Sequence, residues 1–363
     1  MRIETIDLFD WRNLERVSIS TPNQFVIFHG QNGAGKTNII EAIYMFSTLR
    51  SFRETIPQNM IRKGCSSSRI QSRVRSTYGV RKMEWVYSVR GRQLLIDGAK
   101  LTNLSSWFTP IRVILFSPAH LRVVSNGPSE RRKFLDRARF TASPAYLELV
   151  REYTRIVAQK KALLNADKID LVGLTVWNEK LVNAGIKIAL QRQLILEELS
   201  EPFQKIHHYI SGNKEVSLGL TGVSGKNAED IRAFFYEMLE RKKNEEIKTR
   251  RCLCGPHLDD MTIYLNGLSA KKFASQGQKR TIVIALKFAE LEAARKRGES
   301  PLFLLDDLSS ELDRERTRKL VQLLMEKDNQ IWITTTDPTH LGSLPKSAVS
   351  LWNVKNGKVF KKN

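Results

Sequence analysis

Apolar positions change their spacing twice along the chain. Phe25-Val26-Ile27-Phe28 is a continuous apolar run ending in His29-Gly30, the pattern of a strand buried on both faces. Asn38–Leu49 follows at helical spacing. The opening Met1-Arg2-Ile3-Glu4-Thr5 alternates as a first strand would, and Met83–Val89, Gln93–Ile96 and Ile111–Phe116 read as further strands. From about Pro144 the period becomes helical, over Tyr146–Ala166, Val176–Leu199 and Ala228–Lys248, with a short strand at Glu215–Leu220. After Cys254-Gly255-Pro256 strands return at Met261–Leu265, Leu302–Leu305 and Ile331–Ile333, and Gly277–Arg297 is a helix stopped by Gly298. The expected architecture is α/β: a mixed-sheet head formed by 1–123 and 251–363, split by a mainly helical arm at 124–250.

Composition changes this picture in one respect. Hydrophobic residues make up 41% and charged residues 27%, ordinary for a globular protein, but 59 Lys and Arg face 38 Asp and Glu for a formal charge of +21. Such a balance favours a polyanionic partner, nucleic acid or an acidic membrane surface. The apolar stretches Ile111–Phe116 and Pro301–Leu305 fall far short of the roughly 20 residues of a membrane span. The first residues lack a signal-peptide core, and three cysteines do not make a disulfide scaffold, so a cytoplasmic protein is expected.

The chemistry begins at Gly30-Gln31-Asn32-Gly33-Ala34-Gly35-Lys36-Thr37, which matches G-x-x-x-x-G-K-[ST] at every position, after a strand and before a helix. Glycines let such a loop turn its backbone N–H groups toward phosphates at a helix N-terminus. Lys36 reaches the outer phosphates, and the Thr37 hydroxyl ligates Mg²⁺. Downstream, Leu302–Leu305 runs into Asp306-Asp307. A buried strand ending in Asp delivers a carboxylate to the metal, making Asp306 the second Mg²⁺ ligand and Asp307 the group that orients or deprotonates the attacking water.

Between these lies Phe273-Ala274-Ser275-Gln276-Gly277-Gln278-Lys279-Arg280, opening a helix. It resembles the signature motif of ATP-binding-cassette ATPases, in which Ser and Gly at a helix start bind the γ-phosphate held by the opposite subunit. Ser275, Gly277 and Gln278 are the positions concerned, with Ser275 catalytic as well. Ser275 also suits an N-cap with Gln278 at N3, and both roles can hold at once. Ser309-Ser310-Glu311-Leu312-Asp313 resembles that superfamily's D-loop. Strand Ile331–Thr334 leads to Thr336, where many relatives place a γ-phosphate-sensing His.

The motif order identifies a cassette-type ATPase, and further blocks resemble the RecF family of bacterial recombination-repair proteins. Trp11-Arg12-Asn13-Leu14 is similar to a family segment that approaches the nucleotide, which implicates Arg12 and Asn13. Thr37–Tyr44, Phe116-Ser117-Pro118, Gly127–Asp136 and Gly255–Asp260 match other blocks. The chain departs from the pattern at Ala119-His120, where Glu-Asp is usual, and at Leu258, where Arg is usual. The arm is far shorter than in chromosome-maintenance ATPases, and Gly173, Gly185 and Pro202 interrupt any sustained heptad. The resemblance implies an ATP- and Mg²⁺-dependent homodimer that clamps DNA. It further implies a weak, DNA-stimulated ATPase acting in recombinational repair, replication restart and the SOS response, with RecR and RecO as partners in loading recombinase.

Positive charge is clustered. Arg50, Arg53, Arg62, Lys63, Arg69, Arg73, Arg75, Arg81 and Lys82 are opposed in their stretch by Glu54 alone. Arg131-Arg132-Lys133 with Arg137 and Arg139, and Arg241-Lys242-Lys243 with Lys248, Arg250 and Arg251, form two more groups. Basic residues mixed with Ser and Gln suit sequence-neutral contact with a DNA backbone, whether duplex or a single/double-strand junction. Candidate DNA residues are Arg50, Arg53, Arg62, Lys63, Arg69, Arg73, Arg75, Arg131 and Arg132. Cys252-x-Cys254 with His257 has no recognised zinc spacing, and His207-His208 reads as a surface pair. The competing class is a transporter-type cassette ATPase; against it, the signature reads Ala-Ser-Gln-Gly-Gln rather than Leu-Ser-Gly-Gly-Gln.

Overall fold

The computed structural model describes residues 1–101, 104–108, 110–212, 215–308 and 313–362. Strands β1 (Arg2–Trp11), β2 (Leu14–Ser20) and β3 (Phe25–His29) precede helix α1 (Lys36–Thr48). Then come β4 (Ser67–Ser76), β5 (Gly79–Ser88), β6 (Gly91–Ile96), β7 (Ala99–Lys100) and β8 (Val113–Phe116). Helices α2 (Pro128–Ala142), α3 (Tyr146–Leu164), α4 (Leu171–Ser211) and α5 (Ala228–Thr249) follow, with β9 (Val216–Thr221) between the last two. The chain closes with β10 (Asp260–Leu265), β11 (Leu268–Ser269), α6 (Gln276–Lys296), β12 (Leu302–Leu305), α7 (Arg314–Met325), β13 (Ile331–Thr335), β14 (Val349–Lys355) and β15 (Lys358–Lys362). The α/β class expected from the residue pattern is therefore present.

Two compact units emerge: Met1–Leu121 with Ile206–Asn213 and Gln276–Asn363, and Arg122–Lys205 with Lys214–Ser275. The arm boundaries expected at 124 and 250 shift accordingly. Residues 251–275 belong with the helices because β10 pairs antiparallel with β9, placing Met261 opposite Leu220. Residues 206–213, expected in the arm, belong with the head.

The first unit holds two six-stranded sheets. One is an antiparallel sheet in the order β2-β1-β4-β5-β6-β7. The other runs β15-β14-β3-β13-β12-β8, parallel throughout except where β15 returns on β14. Helix α1 packs on β13 and β8 of the second sheet and on β1 of the first. That explains its composition: Ile39, Ile40, Ile43, Met45 and Phe46 are buried around its circumference, not along one stripe. Trp11 of β1 is buried, donates its Nε1–H to the Asn38 carbonyl at 2.8 Å and meets Trp85 edge-on, centroids 5.9 Å apart. Trp107 and Trp332 are likewise buried.

Strand β4 was hidden in the sequence. Its alternation buries Ile70 and Val74 while Arg69, Arg73 and Arg75 face solvent, so these three members of the first charge cluster line one face of a strand.

The second unit is built around Tyr153, Leu181, Val182, Ile231 and Phe235. Helix α4 extends beyond the expected Val176–Leu199 at both ends, and its 41 residues continue through Pro202. The buried residues Ile195, Leu199 and Phe203 carry the apolar stripe past it. Burial of each is worth about 1.5–3 kcal/mol, which together outweighs the roughly 3 kcal/mol that an interior proline costs. Gly185 is small for a reason: a Cβ there would lie 2.6 Å from the Phe235 ring. In the α4 residues of the first unit, His207 is buried and bonded to Ser211, correcting the surface-pair expectation, while His208 is exposed. Among the described residues no helix is long and apolar enough to cross a membrane.

Lys160 and Glu246 form a fully buried ion pair at 2.7 Å, and the second Glu246 oxygen accepts the Leu253 N–H at 2.7 Å. Removing one partner strands the other charge. Lys160→Ala is expected to destabilise by about 3–5 kcal/mol in urea unfolding, and Lys160→Met with Glu246→Gln, which keeps the Leu253 bond, to recover most of it. Equal losses in the single and double variants would contradict this.

Candidate functional site

Strand β3 lies between β14 and β13, and the loop 30–35 leaves its carboxyl end directly into α1. Gln31, Asn32 and Gly33 are exposed, while Ala34, Gly35 and Lys36 are buried. Lys36 Nζ donates to the Gly30 carbonyl at 2.6 Å and the Gln31 carbonyl at 2.9 Å, so the loop curls around its own ammonium. Burial lowers the Lys36 pKa, opposed by the charges of Asp307 and Asp306. Helix α1 has no side-chain cap and no acidic residue in its first turn. Its positive end is kept for an outside anion.

The carboxylates arrive from β12, whose last residues pair with β8 and β13. Thr37 Oγ1 donates to Asp306 Oδ1 at 2.9 Å, and Thr334 Oγ1 donates to the same oxygen at 2.7 Å. Thr334 also accepts the Asp307 N–H at 2.9 Å. Three elements, α1, β12 and β13, thus meet at one carboxylate oxygen. Burial raises the Asp306 pKa; the hydroxyls of Thr334 and Thr37 lower it, and Asp307 adds to the rise. A hydroxyl hydrogen-bonded to a buried carboxylate is the hard-oxygen pair that Mg²⁺ takes, so Thr37 and Asp306 fit the metal. Asp307 holds a left-handed backbone, φ 55°, a conformation that costs a non-glycine residue roughly 1–2 kcal/mol and recurs at reactive positions.

Around the loop, Asn13 Nδ2 donates to the Ala34 carbonyl at 3.4 Å, and its Oδ1 accepts from Asn38 Nδ2 at 2.8 Å. Arg12 is bidentate to buried Glu41, at 2.7 and 3.0 Å, and also donates to the Asn59 carbonyl. Arg53 reaches Asn38 Oδ1 at 2.9 Å and Glu41 at 3.6 Å, placing this candidate DNA residue at the rim of the loop. Glu41 and Thr334 are site residues that motif reading missed. The only signal for Glu41 was an acid inside an otherwise apolar helix run, and for Thr334 a hydroxyl at a buried strand end.

Ser275 closes the second unit and is exposed; Gly277 and Gln278 begin α6 in the first unit, Gly277 exposed and Gln278 half-buried. Thr336 is exposed just beyond β13. The D-loop segment 309–312 lies outside the described residues. Among the basic candidates, Arg50, Lys63, Arg69, Arg73 and Arg75 are exposed, with Arg73 and Arg75 both reaching Glu4 and Arg69 lying over the Phe9 ring. Arg62 pairs with Asp10 and Glu15.

One basic candidate needs correcting. Arg131 is buried and bidentate to Asp260 at 2.6 and 2.8 Å, so its guanidinium is a structural tie. Arg132 is half-buried and donates to the Asp259 carbonyl at 2.7 Å.

A parallel sheet with a phosphate loop, an acidic strand end beside it and a separate helical unit define a cassette-type ATPase head. Solved structures agree. The chain superposes on the recombination mediator protein RecF with bound ATP at TM-score 0.87 and 27% identity, covering 99% of this chain and 97% of that one. A chromosome-maintenance head bound to the winged-helix domain of ScpA matches at TM-score 0.60 and 14% identity, which speaks to fold alone. Among curated proteins, DNA replication and repair protein RecF of Geobacter sp. strain M21 is 34% identical, covering 99% of this chain and all of that one. RecF of Streptococcus thermophilus strain LMG 18311 is 34% identical over 100% and 99%. No protein-family profile matches the chain. The chain belongs to the RecF family of DNA replication and repair proteins.

Because burial raises the Asp306 pKa above its ordinary 3.8, the folded metal-free protein holds that proton more tightly than the unfolded chain does. Its contribution to stability is lost as pH rises from 3.8 through the raised value and returns on acidification. Asp306→Asn is expected to melt higher than wild type at neutral pH without Mg²⁺ and to lack this component of the pH slope. Parallel melting curves across pH would refute it.

Proposed function

We propose that this chain is an ATP-gated DNA-binding protein in which two copies share each nucleotide, closing on DNA when ATP binds and reopening after slow hydrolysis. The observation that carries the reading is the exposure of Ser275 and Gly277 at the start of α6, while the chain's own phosphate loop curls about Lys36. A helix start with an exposed serine and glycine suits contact with a phosphate that another molecule brings.

In this reading Lys36 leaves its two carbonyls for the outer phosphates, and loop N–H groups hold the chain of phosphates. Thr37 and Asp306 would hold Mg²⁺, which would supply charge neutralisation to the phosphates. Asp307 accepts a proton from the water that attacks the γ-phosphorus, as the bond to the ADP oxygen breaks. Ser275 and Gln278 of the partner copy stabilise the charge on the γ-phosphate as it is attacked, and Thr336 senses that phosphate. Arg12, locked on Glu41, shapes the rim of the site. DNA lies on the exposed arginines of β4 with Arg50 and Lys63, contacted through its backbone without sequence preference. DNA-stimulated turnover, recombinase loading and work with RecR- and RecO-type partners complete the proposal; the RecF whose ATP-bound structure this chain resembles acts in the RecFOR pathway.

Complementation tests the shared site. Lys36→Ala and Ser275→Arg should each be inactive alone, yet their mixture should regain turnover, because the mixed dimer contains one site with an intact loop and an intact signature. Wild-type turnover should rise faster than linearly with protein concentration. A mixture as inactive as its components, with both variants folded, rules out sharing.

DNA affinity measured with ATP should fall steeply with salt, and Arg69→Glu with Arg73→Glu should flatten the slope on any sequence. Salt-independent or absent binding would favour a transporter-type motor instead.

A further inference from the structure

Strands β14 and β15 form a terminal hairpin that carries no recognisable motif. They are joined by Asn356-Gly357, with φ of 50° and 75°, a two-residue turn of the primed kind. Because β14 runs parallel to β3 with Asn353 opposite His29, the hairpin is carried past the start of the phosphate loop. There the Gly357 N–H donates to the Ala34 carbonyl at 3.0 Å.

The fit leaves no room for side chains. A Cβ on Gly357 would lie 2.4 Å from the Asn13 carbonyl oxygen, and one on Gly30 would lie 2.2 Å from the Val354 carbonyl oxygen. Contacts below 3.0 Å against backbone force something to move. Asn13 approaches the Ala34 carbonyl from the other hairpin turn. Ala34 is therefore held by turns from both ends of the chain.

We infer that the Asn356-Gly357 turn is a positioning element for nucleotide: it fixes the Ala34–Gly35 peptide and thereby sets the affinity for ATP. In a planar trans peptide, C=O and N–H point in opposite directions. Tying the Ala34 carbonyl to Gly357 turns the Gly35 N–H away from the hairpin, pre-orienting a donor next to Lys36. A donor oriented before binding costs no ordering when the phosphate arrives, so the effect falls on binding rather than on the chemical step. This inference rests on the ATP-binding reading above.

The test uses the full chain. MgATP binding by calorimetry, nucleotide-free melting and turnover at saturating ATP are compared for wild type, Gly357→Ala and Asn356→Gly. Gly357→Ala, strained at φ 75° and against the Asn13 carbonyl, is expected to melt somewhat lower than wild type yet stay folded, to weaken ATP binding about tenfold or more, and to keep turnover at saturating ATP within about twofold. Asn356→Gly, which retains the left-handed turn, should bind like wild type. A folded Gly357→Ala that binds ATP as tightly as wild type overturns the inference and leaves the function reading intact. A wild-type chain that binds no MgATP overturns both. Should Gly357→Ala not fold, hydrogen exchange on wild type decides: ATP must slow amides in 354–360 together with those in 30–37, and protection confined to 30–37 refutes the coupling.

Discussion

One oxygen of Asp306 organises the site. It accepts hydroxyls from Thr37 at the start of α1 and from Thr334 near the end of β13, while Asp306 itself terminates β12. A carboxylate buried this deeply would be expelled or protonated without partners. Two hydroxyls keep it, and its raised pKa records the positive charge that they do not supply. The parallel order β3-β13-β12-β8 brings the carboxyl ends of these strands together on one edge, where ligands of open α/β sheets bind. The phosphate loop and the buried Asp306 carboxylate are neighbours because of that strand order.

The second constraint is the helix behind the loop. Helix α1 is clamped between two sheets, so it cannot tilt without disturbing both cores. Buried Glu41 on that helix gathers Arg12, Arg53 and Ser51, tying the first hairpin and the following segment to the same rigid body. The C-terminal hairpin adds a further hold through Gly357. Elements far apart in sequence, from residue 12 to residue 357, therefore converge on eight loop positions. Close packing of this kind transmits small shifts instead of absorbing them.

Charge divides into two populations that the sequence does not distinguish. Arg131, Arg132 and Arg192 lie inside the second unit, each bonded to a carboxylate or carbonyl near Asp259 and Asp260. Arg69, Arg73 and Arg75 project from a sheet face. Both groups look alike in a charge count, yet only the second is fully exposed. Burial, not abundance, decides which arginines are available.

The residue pattern alone determined the phosphate loop, the acidic strand end, the helix that follows Ser275 and the α/β class, because each depends on local spacing: a turn that demands glycine, a buried strand that demands continuous apolar residues, a helix that demands its period. It could not place the return boundary at 275, since strand β10 chooses its unit by pairing with β9 across distant sequence. Nor could it separate buried from exposed arginines, find β4 beneath its charge, or show that Thr334 touches Asp306. Those outcomes depend on partners brought together only by folding. Local chemistry is written in neighbours along the chain, whereas register, burial and ion pairing are settled by neighbours in space.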